Sequence, residues 1–278
     1  MEQGQVGGND EVEPVSPRIN SKLQDSIIAS VALAKAVRMG DASLVEFLLE
    51  KVEDQFIGNA LEAAANTNNR NIVKLLLKTR EAEGTTLGKP LGKTLGKVLR
   101  TAALRGCLAI VRLLMKKTDE EARGKALCAA ASRGDIAIVR FLLSEKVPVD
   151  TQDRKGRRAL AVAAESGHDD MVQLLISNNA PVNDKDNGGR TALHLAAKRF
   201  HGTIIEFLID NKADPKLEDH KNQTPQGLAL DAWNKTGEKA PTSALQSEKD
   251  LVEKKLGVKL PASQRNRHGR IQRWSRQV

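Results

Sequence analysis

Gly92-Lys93-Thr94 invites chemistry first, because a glycine-rich turn followed by Lys and Thr can cradle a phosphate. That motif needs a further glycine at position 87, which is Leu, and no apolar strand leads into it, so nucleotide binding is not expected. The histidines His168, His194, His201, His220 and His268 do not cluster, and none meets a cysteine at zinc-ligand spacing. Cys107 and Cys128 are flanked by Ala and Leu and read as small apolar residues of a reduced protein, not as a disulfide framework. No serine sits in a strand-turn-helix elbow, and no two carboxylates are placed to share a cavity. Glu62, Glu165 and Asp170 read as ordinary solvated acids on helix faces. No catalytic residue, metal site or cofactor is therefore expected, and the chain is not expected to be an enzyme.

What stands out instead is basic charge. The formal net charge is +9, and the segment 261–278 carries Arg265, Arg267, Arg270, Arg273 and Arg276 beside Trp274 with no acid. Such a tail suits phosphate contacts with one stacking ring, an import signal, an acidic-surface tether or plain solubilisation. A second basic stretch, Thr86 to Lys97, repeats Gly and Lys every four residues and is expected to be a mobile basic loop.

The elements that carry these residues are set by self-similarity. Arg158-Ala159-Leu160 through Ala164 recurs at Thr191-Ala192-Leu193 through Ala197 and again from Thr224 to Leu230, each step being 33 residues. A fixed period of this size marks stacked repeats and moves the expectation from catalysis toward binding. Each unit reads as a helix with an Ala-Ala step, a turn, and a second helix rich in aliphatics such as Ile138, Val139, Leu142 and Leu143. The turns want a left-handed residue, which Gly40, Asn68, Gly106, Gly134 and Gly167 supply. Phe200 does not, so its turn is expected to be remodelled or strained. Turn spacings of 28, 38 and 28 precede the regular 33, which predicts clipped connections in the first half. Aromatics make up only 3% of the chain, so the predicted core is aliphatic.

The run from Asn179 to Ala197, with Thr191-Ala192-Leu193-His194 at the start of a helix, resembles the ankyrin repeat family, and the likeness is good from about Lys125 to Leu230. The resemblance implies an all-α solenoid of six helix-turn-helix units, near 33–50, 61–78, 99–116, 127–144, 160–177 and 193–210, within an array spanning 23–233. A degenerate cap over 224–233 closes it. Around the array the expected order is a disordered tail over 1–22, a linker over 234–260 with an amphipathic helix from Ser243 to Leu256, and a disordered basic tail over 261–278. His194 is expected to bond the Thr191 hydroxyl and nearby backbone, and His168 and His201 to be structural.

The resemblance also implies a non-catalytic protein-binding module, an adaptor, inhibitor or scaffold, whose inner helix ends and finger tips face the partner. Carried over position by position, those sites are Arg105, Arg133, Lys198 and Arg199 on helices and Arg154, Lys155, Arg157, Arg190, His220 and Lys221 in fingers. Glu165 is the one acid at the equivalent positions of all units, so an acidic partner surface is expected, with solubilisation as the plainer reading. The alternative is a nuclear or nucleic-acid-associated regulator binding through the Arg-rich tail and the Lys loop. No apolar run approaches the ~18 residues of a membrane span and no signal peptide is apparent, so the expected setting is the cytoplasm or nucleus.

Overall fold

Glycine or asparagine in a left-handed conformation ends one helix and lets the next fold back against it, and this step is repeated along the chain. The structure, a computed structural model, describes residues 17–52, 54–82, 89–236 and 243–260. Among them it forms helices and no strand, and the chain divides into two compact bodies, one up to Leu87 and one from Gly88 onward in sequence. The first body holds two antiparallel pairs, α1 (Pro17–Met39) with α2 (Ala42–Leu49) and α3 (Asp54–Asn66) with α4 (Arg70–Ala82). The second holds five: α5 (Lys89–Arg105) with α6 (Leu108–Leu114), α7 (Glu120–Arg133) with α8 (Ile136–Ser144), α9 (Ala159–Ser166) with α10 (Asp169–Ser177), α11 (Ala192–Arg199) with α12 (Gly202–Asp210), and α13 (Pro225–Thr236) with α14 (Ser243–Leu256).

Between α7 and α8, Gly134 has φ +77° and the Asp135 carboxylate accepts the Ile138 amide at 3.1 Å, so one helix is closed and the next capped within two residues. His168 and His201 stand where Asp135 stands and cap nothing with their side chains. Each reaches back one unit instead. The carbonyls of Ser132 and Glu165 accept from His168 Nε2 at 3.0 Å and His201 Nε2 at 3.3 Å, so Nε2 carries the hydrogen in both rings. Phe200 keeps the standard turn with φ 60°, so the unit is strained, not remodelled.

In the second body α7 packs against α5 and α9, and α11 against α9 and α13. Ala130, Ala131, Ala163, Ala164, Ala196 and Ala197 are wholly buried, and side chains this small let neighbouring helices approach closely. Aliphatics of the second helices, such as Ile138, Leu142, Ile205 and Leu208, fill the other side of the core.

Three expectations are corrected here. The segment Lys89 to Lys97 is the start of α5 and not a loop. Its four-residue period lies close to the 3.6 of a helix, and Leu95, Val98 and Leu99 are fully buried, so packing overrides the cost of Gly92 and Gly96. Residues 17–22, expected in the disordered tail, open α1; residues 1–16 lie outside the described residues. The predicted helix from Ser243 to Leu256 is present as α14, but it is no part of a linker. It packs on α12 as the second helix of a seventh pair, with Val252 and Leu256 buried and Lys255 bonded to Glu206 at 3.1 Å and Asp210 at 3.0 Å.

Because Val252 is fully buried, Val252→Asp is expected to cost about 3 kcal/mol by placing a carboxylate without partners in the core. Urea denaturation measures this, and an unchanged midpoint would show that α14 does not dock.

Candidate functional site

Each finger is organised by one acid. Asp153, Asp186 and Asp219 stand 33 residues apart, and each accepts two amides of the turn that follows it. Asp153 Oδ1 takes those of Lys155 at 2.7 Å and Arg157 at 3.0 Å, Asp186 Oδ1 those of Gly188 at 2.8 Å and Arg190 at 2.9 Å, and Asp219 Oδ1 those of Lys221 at 2.8 Å and Gln223 at 3.0 Å. Neighbouring fingers are also stitched together: Asn187 donates its amide to the Lys155 carbonyl and His220 donates its amide to the Gly188 carbonyl, both at 3.0 Å. The sequence reading missed these acids, although their 33-residue spacing was a sufficient signal.

The second carboxylate oxygen decides the fate of two predicted contact residues. Arg157 binds Asp153 Oδ2 at 2.7 Å and also pairs with Glu165, and its side chain is 18% exposed. Arg190 binds Asp186 Oδ2 at 2.8 Å. Both guanidiniums are spent inside the protein, so neither is a free charge at a finger tip. Glu165 is corrected with them, because it is not a solvated acid: it pairs with Arg157 and lies 3.8 Å from Arg199.

The other predicted positions are exposed. Arg154, Lys155, His220 and Lys221 project from finger tips, and Arg105, Arg133, Lys198 and Arg199 lie at the ends of α5, α7 and α11. Arg133 Nη1 donates to the Leu104 carbonyl at 3.2 Å, which lays its side chain across the preceding unit. Three more cations join them, of which Lys93 and Lys97 were expected in a loop. Lys93, Lys97 and Arg100 on α5 line a cleft of about 510 Å³ together with Arg154 and Lys155 of the 153–157 finger. The Arg-rich segment 261–278, with Arg265, Arg267, Arg270, Arg273, Trp274 and Arg276, lies outside the described residues.

The chemistry of the remaining candidates is structural. Among the described residues no cluster of His, Cys, Asp or Glu is placed to hold a metal. His194 Nδ1 bonds the Thr191 hydroxyl at 2.9 Å and accepts the Thr191 amide at 3.2 Å, while the Gln223 carbonyl accepts from Nε2 at 3.1 Å. The ring is thus a buried, neutral link between α11 and the next finger. Cys128 is free, and burial pushes its thiol up to about 12, so it is not a thiolate; its Sγ faces the Thr151 carbonyl at 3.5 Å.

A family model for ankyrin repeats matches in three copies, over residues 33–126, 99–186 and 127–219. The chain belongs to the ankyrin repeat family. No curated protein matches it. Ankyrin repeats are in general non-catalytic modules of protein interaction, and the exposed helix ends and finger tips are the parts of this one that vary from unit to unit. Among the described residues no helix is long and apolar enough to cross a membrane.

Two titrations follow. Burial holds the His194 pKa below its ordinary value despite the Gln223 carbonyl. The unfolded chain therefore takes up that proton first, so stability is complete above about pH 6.5 and declines as pH falls from there toward the folded value. Burial would raise the Asp186 carboxyl, but the Arg190 side chain and the amides of Arg190 and Gly188 outweigh it and hold it low. Its contribution is present above about pH 3.9 and is lost as pH falls through the folded value. Urea midpoints measured against pH are expected to show both declines, with His194→Gln removing the upper one and Asp186→Asn the lower. A wild-type profile flat between about pH 7 and 5 would contradict the buried neutral imidazole.

Proposed function

We propose that the chain is an adaptor, inhibitor or scaffold that offers the basic face of its second body to an acidic surface of another protein. One observation carries this reading: Arg105, Arg133, Arg154, Lys155, Lys198 and Lys221 are exposed and make no ion pair among the described residues. Of the acids in the same units, Asp153, Glu165 and Asp186 are paired with Arg157 and Arg190, and the Asp135 and Asp219 carboxylates hold backbone amides. A surface meant only for solubility gains from mixed signs, whereas one sign left uncompensated at neighbouring positions steers an oppositely charged partner and raises its on-rate. Cys107 and Cys128 are buried and not joined by a disulfide, which suits a reducing compartment where such a partner would be met.

The partner is to be captured on the immobilised full chain and identified by mass spectrometry. Combined charge reversal of Arg133, Arg154 and Lys198 is expected to weaken it at least about tenfold, or about 1.4 kcal/mol, and more at low salt. Unchanged affinity would reduce the basic face to a solubilising surface. Loss of binding on removal of 261–278, with the repeats intact, would assign recognition to the Arg-rich tail and support the nucleic-acid-associated alternative.

A further inference from the structure

We infer that the cleft between α5, α7 and the 153–157 finger seats one short acidic segment of the partner protein, laid along α5 with its carboxylates between two rows of cations. This rests on the partner-binding reading above and adds to it a place and a chemistry. From α5 the cleft is lined by Lys93, Lys97 and Arg100, spaced four and three residues apart on one helix face, and from the 153–157 finger by Arg154 and Lys155. All five are exposed, and none has an ion pair among the described residues.

The acids that share the cleft do not neutralise these cations. Asp119 caps α7 through the Ala122 amide at 2.7 Å, Glu121 pairs with Lys125, and Asp153 holds its own turn and Arg157. Asp119 keeps its charge, so these five cations against that one acid leave the recess net positive, and its protein walls focus the field. Along α5 the cations repeat at about 6 Å and then about 4.5 Å, from a rise of about 1.5 Å per residue. Carboxylates on one face of a helix, or on alternate residues of an extended strand at about 6.7 Å, match the first of these steps.

The shape of the cleft admits a backbone. Nothing lies within 4 Å of where a Cβ on Gly92 would point, and Gly96, Ala122 and Ala129 continue the same low floor. Gly96 is explained by packing, since its Cβ would come within 3.0 Å of the Ala122 Cβ. Gly92 has no such neighbour. It weakens the helix without a packing reason and leaves α5 bare between its lysines. No lining residue is aromatic, so the stacking that single-stranded nucleic acid uses has no platform here. A protein segment rich in Asp or Glu is the occupant whose chemistry fits.

The test uses the full-length chain and a fluorescein-labelled peptide of alternating Glu and Ala, read by fluorescence anisotropy at low ionic strength. The expected result is saturable binding that the Gln-for-Glu peptide lacks. Lys93→Glu with Lys97→Glu is expected to weaken it about tenfold or more, and Lys93→Gln with Lys97→Gln to weaken it less. Gly92→Leu, which fills the floor, is expected to block binding without lowering the melting temperature. Binding lost to Arg133→Glu with Lys198→Glu but untouched by the Lys93, Lys97 and Gly92 variants would overturn the cleft and leave the wider basic face standing. No binding of the acidic peptide to the folded wild type would overturn the cleft, with capture of an Arg133-dependent partner deciding the broader reading separately. Equal, Gly92-sensitive binding of an oligothymidylate would replace the protein segment by nucleic acid.

Discussion

The carboxylates of Asp153, Asp186 and Asp219 each gather two turn amides, and the proposed interaction surface depends on that gathering. Without it the finger amides would turn to water and the tips would sample many conformations. With it, and with Asn187 and His220 bonded to the finger before, the tips are fixed to one another as well as to their own helices. Arg154, Lys155 and Lys221 are therefore presented from an ordered backbone, and association loses little further freedom there. The same carboxylates remove Arg157 and Arg190 from the list of free charges, so one residue type both builds the surface and selects which cations remain on it.

Where the period is 33, local and global signals agree, and the helix-turn-helix order of α9 to α12 is legible in the sequence. The Thr191–His194 link was also anticipated, because it uses residues close in sequence. Contacts that span units were harder to read. Nothing local tells that His168 and His201 reach the carbonyls of Ser132 and Glu165, or that Glu165 lies between Arg157 and Arg199.

The Gly-Lys stretch failed for a different reason. Glycine at every fourth position reads as a loop, and only the neighbouring Ala122 on α7, together with the burial of Leu95, Val98 and Leu99, makes a helix the better solution. Its lysines then fall on one face, and a feature without a role in the sequence becomes a wall of the candidate site. Helix α14 was legible as a helix, but residues 237–242 separate it from α13, so its membership in the seventh pair shows only through its packing on α12.

Phe200 adopts φ 60° where other units use glycine or asparagine, and its ring meets Trp233 of α13 edge to face at 5.6 Å. Lys249 of α14 lies 4.9 Å above the same indole. The cost of that backbone is met by an aromatic contact that exists only when the last pair is in place. The α13–α14 pair is thereby tied to the unit before it, so its opening would release the α11–α12 turn as well, which favours the two pairs opening together.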